Sequence, residues 1–146
     1  MAATIPDSVA VANRLRPVLL QLNRQLRAEL HLLGVSAGQV SILGAIREKP
    51  GVGVAELAAR EGTSAPTICS HIDRLEASRL VTRTREETGD RRRVGLHVTA
   101  DGERVLRTVR SRRTAWLASR LDTLSSADRA RIADSLDALA QLVEQR

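Results

Sequence analysis

Two sets of side chains in this sequence have the types and spacing to act on something outside the chain. Pro66, Thr67, Ser70, Asp73, Arg74 and Ala77 fall on one side of a stretch with helical spacing, with His71 at its margin and Ser64 just ahead. Short polar side chains and one cation on a helix face can come close to base edges and phosphates. The second set, Asp90, Arg91, Arg92 and Arg93, crowds a turn that contains Gly89-Asp90. Guanidinium groups there suit phosphates or a minor groove, whose negative potential attracts arginine. We read Asp90 as holding an arginine in place by a charge-assisted contact, with Glu86 and Glu87 facing water.

Other reactive residue types do not assemble. No nucleophile stands beside a local base, and Gly51-Val52-Gly53 is too short a glycine run to cradle phosphate. The three histidines are far apart and share no metal-ligand spacing with cysteine or carboxylates, so no metal and no cofactor is expected. Cys69 lies about 100° around the helix from Ile68 and reads as a partly buried structural thiol. It has no second cysteine to pair with. Enzymatic activity is not expected.

The elements that present the two sets can be read locally. Val54, Leu57 and Ala58 form an apolar stripe on a short helix that Gly62 ends. Thr63 or Ser64 caps the next helix, about Ala65 to Ser78, with Pro66 in its first turn. Ile68, Ile72 and Leu75 fall in one narrow arc and form its buried side. Two helices joined by a short glycine-containing turn make a helix-turn-helix. Leu80–Arg85 and Arg93–Val98 are β-rich runs on either side of the arginine turn, with Leu80, Thr82 and Thr84 expected on one face and Val81, Arg83 and Arg85 on the other. The whole is a winged helix-turn-helix, a module that reads double-stranded DNA.

The run from Leu57 to Gly102, LAAREGTSAPTICSHIDRLEASRLVTRTREETGDRRRVGLHVTADG, resembles the MarR family of winged-helix transcription regulators. The family pattern of an Asp-x-Arg wing, a hydrophobic strand and Leu-Thr-x-x-Gly reads here as Asp90-Arg91-Arg92, VGLHV and Val98-Thr99-Ala100-Asp101-Gly102. The resemblance implies that Arg92 enters a minor groove with Asp90 orienting it, and that Ser64 to Arg74 make major-groove and phosphate contacts. Arg79 stands where the family has glycine, and Val98 where it has leucine. A left-handed conformation at Arg79 would cost about 1 kcal/mol. The resemblance also implies a homodimer and a small anionic aromatic effector bound between the dimer helices and the reading lobe. Arg16, Arg27, His31, Arg83 and Trp116 are candidate wall residues. For His31, stabilisation of a helix C-terminus is the other reading.

The 146 residues suffice for one domain with a sizeable core. Trp116 is the only aromatic besides the histidines, so that core must be aliphatic. A net charge of +6 favours a polyanionic partner. Lys49 is the only lysine, so the count of arginines by itself is discounted as compositional bias. No apolar run approaches the ~20 residues a membrane span needs, and the N-terminus lacks a secretory pattern, so no membrane association and a cytoplasmic location are expected.

Long amphipathic helices are expected at both ends. Asp7 or Ser8 should cap the first, which carries Val11, Leu15, Val18, Leu22, Leu26 and Leu30, ends at Gly34, and is kinked or interrupted at Pro17. Ser36 and Gln39 form a capping box for the next helix, and Val52 is at most a minor strand joining the wing. Thr99 caps a helix from about Ala100 to Leu121, with Val105, Val109, Trp116, Leu117 and Leu121 inward. A last helix, about 126 to 145, aligns Ile132, Leu136, Leu139, Ala140 and Val143.

The expected fold is mainly α with a small β-hairpin wing. Residues 35–99 form the winged helix-turn-helix lobe. Residues 1–34 and 100–146 form the dimerisation region, the whole being one intertwined domain. The expected function is that of a homodimeric, operator-binding repressor released by the effector. The alternatives are a winged-helix protein-interaction module and a nonspecific DNA binder.

Overall fold

The computed structural model describes residues 6–85 and 94–144. In order it contains α1 (Ser8–Ala28), a 3-10 turn (His31–Leu33), α2 (Ala37–Glu48), α3 (Val54–Glu61), α4 (Ala65–Ala77), β1 (Val81–Arg85), β2 (Val94–Val98), α5 (Ala100–Leu121) and α6 (Ser126–Glu144). This is the mainly helical, hairpin-bearing architecture that the sequence predicts. The chain divides into two compact units, Met1–Arg110 and Ser111–Arg146, and α5 contributes to both.

In the first unit, Asp7 caps α1, its carboxylate accepting from the Ala10 N–H at 3.2 Å. The helix passes through Pro17 without the interruption that proline predicts. Asn13, whose carbonyl loses its donor, is exposed, so water can satisfy it. The end differs too. The α-helix stops at Ala28, and i→i+3 bonds from Leu30 to Arg27 and from Leu33 to Leu30 replace its last turns before Gly34. The tighter winding is accompanied by burial of Leu30 while Leu32 is left in solvent.

The core is aliphatic, as the composition requires. Ile42, Leu43 and Ile46 of α2, Leu57 of α3, Ile68, Ile72 and Leu75 of α4, and Leu96 of β2 are all buried in it. Each such side chain contributes roughly 1.5–3 kcal/mol on burial. The α2 capping box forms in full: the Ser36 hydroxyl accepts from the Gln39 N–H at 3.1 Å, and the Gln39 side chain accepts from the Ser36 N–H at 2.8 Å.

The hairpin pairs antiparallel, with Val81 opposite Val98 and Arg85 opposite Val94. Val52 joins it through one bridge to Leu96, the minor strand expected of that residue. The expected two-face alternation of β1 does not sort its burial. Leu80 and Val81 are both buried, and Thr82 through Arg85 are all exposed. Leu80 belongs to the closing turn of α4, its N–H bonding to the Leu75 carbonyl at 2.8 Å, so the strand begins one residue later.

The Thr99 cap holds: its hydroxyl accepts from the Gly102 N–H at 3.0 Å. On the α5 portion of this unit Gly102, Leu106 and Val109 are buried, which adds Gly102 and Leu106 to the residues expected inward.

The second unit holds the rest of α5 and α6. Ser125 caps α6, accepting from the Asp128 N–H at 3.1 Å. The Arg120 guanidinium lies 5.3 Å from the centre of the Trp116 ring, within cation–π range. None of the described residues of α6 is buried, and Ile132, Leu136, Leu142 and Val143 of its apolar residues are exposed.

Candidate nucleic-acid interface

Helix α4 is built to be presented by its N-terminal half. Gly62 closes α3 in the left-handed conformation at φ 62°, which glycine adopts without a Cβ penalty. The chain then enters α4 at Ser64. The Ser64 Oγ accepts from the Thr67 N–H at 3.3 Å and lies 2.9 Å from the Thr67 Oγ1. Ser64 and Thr67 are therefore one capping pair, with Pro66 between them in the first turn. Such a cap contributes about 1 kcal/mol and satisfies one of the free amides at the helix start.

Beyond the cap, Pro66, Thr67, Ser70 and Arg74 are all exposed on one side, opposite Ile68, Ile72 and Leu75. His71 stands apart from them. It is half-buried, and its Nδ1 is enclosed without a hydrogen-bond partner. Of the helix residues expected at a DNA interface, five share the exposed side or its leading edge, and His71 turns toward α2. Asp90, Arg91, Arg92 and Arg93 lie outside the described residues, as do Glu86 and Glu87.

The exposed side also carries Asp73, a carboxylate that would repel phosphate. Arg83 of β1 pairs with it. Its guanidinium reaches Asp73 at 2.5 Å and Glu76 at 2.8 Å. These groups are largely exposed, so the pairs add little to stability, ~0–1 kcal/mol each. Their larger effect is on charge and geometry: one guanidinium is shared by two acids of α4 and offsets half of their negative charge, and β1 is tied to α4. Arg83, a candidate for the wall of an effector pocket, makes both of these ion pairs.

The far end of α4 is locked by backbone. Arg79 has φ 59°, so the left-handed site persists without glycine. Its N–H bonds to the Glu76 carbonyl at 2.9 Å, the neighbouring Leu80 N–H to Leu75 at 2.8 Å, and its own carbonyl accepts from the Thr99 hydroxyl at 2.7 Å. A Cβ on Gly102 would lie 2.3 Å from the Leu80 oxygen, so the start of α5 packs directly on this turn. Sequence reasoning missed the joint roles of Arg83, Thr99 and Gly102. The Thr-x-x-Gly pattern marked the last two, but their partners lie some twenty residues back.

Among the other candidates for an effector wall, Arg27 and His31 line one pocket of about 260 Å³ with Val35, Ser36, Ala37 and Gly38. Cys69 is half-buried, in keeping with a structural thiol. Among the described residues no group of His, Cys, Asp and Glu could hold a metal ion. No single helix among them is long and apolar enough to cross a membrane.

Comparison with known proteins places these features in a wider set. Residues 33–93 match the model of the MarR family. The HTH-type transcriptional regulator MT0903.1 of Mycobacterium tuberculosis is 29% identical over 141 residues, which cover 97% of this chain and 98% of that protein. The crystal structure of transcriptional regulator Tm0710 from Thermotoga maritima superposes with a TM-score of 0.75 at 28% identity, over 94% of this chain and 96% of that one. The crystal structure of MarR gives a TM-score of 0.72 at 26% identity, over 90% and 98%.

Proposed function

We propose that the chain is a transcription regulator of the MarR family, a DNA-binding protein and not an enzyme, and that it acts as a homodimeric repressor that reads a pseudo-palindromic operator. The observation that carries this reading is the exposed row of α4. Thr67, Ser70 and Arg74 stand clear of the core on a helix whose start is capped and whose end is locked. Thr67, Ser70 and Arg74 enter the major groove, with Ser64 and Pro66 at its edge. His71 contacts at most the margin of that interface. Arg91, Arg92 and Arg93 serve the wing, and Asp90 positions them.

Dimerisation is supported by the long helices. Neither α1 nor α6 has a buried residue among those described, and Leu20 and Leu136 are 59% and 56% exposed. Apolar surface on this scale marks an interaction site. Residues 1–34 and 100–146 form the dimerisation region, and 35–99 the reading lobe. A two-fold axis repeats α4 about 34 Å away, one turn of DNA. The protein acts where its DNA is, in the cytoplasm. A small anionic effector releases the operator; the pocket beside Arg27 and His31 is its candidate seat.

The alternative of a winged helix that does not read sequence rests on Arg79 in place of glycine and on the acids Glu86, Glu87 and Asp90 in the wing. The first ground weakens, because Arg79 adopts the left-handed conformation a glycine would.

The deciding experiment is binding of the full chain to the DNA upstream of its own gene against random duplex, over a salt series, with the mass in solution recorded. We expect a dimer that prefers one site by about 10³ or more. Equal binding to both duplexes would sink the reading. Arg92→Ala should weaken binding and lower the salt slope by about one. An unchanged slope and affinity would remove Arg92 from the interface.

A further inference from the structure

Helix α2 carries two glycines in opposite surroundings. A Cβ at Gly44 would stand in open space, with no atom within 4 Å. A Cβ at Gly38 would meet the His71 ring at 3.1 Å, at both Cε1 and Nε2, closer than side chains ordinarily pack. His71 lies on α4 between the buried arc and the exposed row, one turn after Thr67 and one turn before Arg74. The contact therefore joins α2, anchored in the core by Leu43 and Ile46, to the margin of the reading surface.

The opposite margin of α4 is also braced. Asp73, two residues on and so about 200° around the helix from His71, is held by Arg83 of β1. Two supports on opposite margins fix how far a helix can roll about its own axis. One is an ion pair with some give. The other is a flat ring against a backbone with no side chain.

We propose that Gly38 is a positioning residue for DNA reading. The absence of a side chain at Gly38 makes the seat for His71, and that seat sets the roll of α4 and hence the aim of Thr67, Ser70 and Arg74. This deepens the regulator reading and rests on it. A methyl group at position 38 needs the ring to give by a few tenths of an ångström, and a ring enclosed as that of His71 is passes the displacement on to α4.

The test uses five full-length proteins: wild type, Gly38→Ala, His71→Ala, the double variant, and Gly44→Ala as the control. Thermal melting reads the seat without DNA. Gly44→Ala should raise Tm, as alanine does when it replaces glycine inside a helix. Gly38→Ala should fail to raise it while His71 is present, and should raise it once His71 is alanine.

Binding reads the aim. The probe is the duplex that wild-type protein enriches from a random library, compared with unselected duplex. Gly38→Ala should lose about tenfold on the enriched duplex and less than about twofold on the unselected one. The double variant should bind the enriched duplex no more weakly than His71→Ala alone. A Gly38→Ala protein that melts like Gly44→Ala, or that loses equally on both duplexes, overturns the proposal. If wild type enriches no duplex, the regulator reading fails and the positioning role falls with it, while the melting series separately decides whether the seat exists.

Discussion

The reading lobe and the helices at the chain's two ends treat their apolar side chains in opposite ways. Helix α4 has 13 residues and buries three of them, and both of its isoleucines are 0% exposed. Helix α1 has 21 residues and α6 has 19, and neither buries any among those described. Amphipathic patterning is present in all three. What differs is whether the chain itself supplies the covering surface. In the lobe it does, through α2, α3 and the hairpin. At the ends the apolar stripes stay open, which is the physical reason to look for a second chain there.

That contrast can be broken at either side. The largest effect is expected inside the lobe. Gly102→Ala puts a Cβ against the Leu80 carbonyl and should cost about 3 kcal/mol, read as a loss in chemical denaturation. A variant with native stability would mean that the α5 start has room to withdraw.

The next is at the open stripes. Leu136→Asp should weaken self-association about 100-fold, measured by sedimentation, with helix content retained. If association persists, the exposed stripe of α6 is not what joins two chains.

The smallest effect sharpens the account of the lobe. Arg79→Gly removes a non-glycine residue from a left-handed site and should stabilise by about 1 kcal/mol, a rise of ~2–4 °C in Tm. A fall in Tm would show that the Arg79 side chain contributes more than its backbone strain costs.

Much of the lobe was legible in the sequence because its signals are local. The Ser36–Gln39 box, the Ser64 cap with Pro66 and the arc of Ile68, Ile72 and Leu75 each depend on residues within two turns of one another. What escaped depends on distant partners. His71 reads as a margin residue of the exposed face until Gly38 of another helix is beside it. Gly102 is buried against Leu80 and Val98, and Leu106 lies in the core cluster, neither of which helical spacing can reveal. The end of α1 was misread for a related reason. The pattern of leucines continues to Leu33, but the rewinding that buries Leu30 is dictated by the core beneath it.

The lock at Arg79 has a consequence for motion. Helix ends ordinarily fray, and their last amides exchange with solvent far faster than the core. At the end of α4, however, the Arg79 carbonyl is held by the Thr99 hydroxyl, and the Leu80 oxygen accepts the Thr99 N–H at 3.0 Å. The amides of Arg79 and Leu80 should therefore exchange on the timescale on which the start of α5 opens, and not on that of local fraying. A helix whose end cannot unwind alone keeps one length through local fluctuations, and whatever loosens the start of α5 loosens the end of α4.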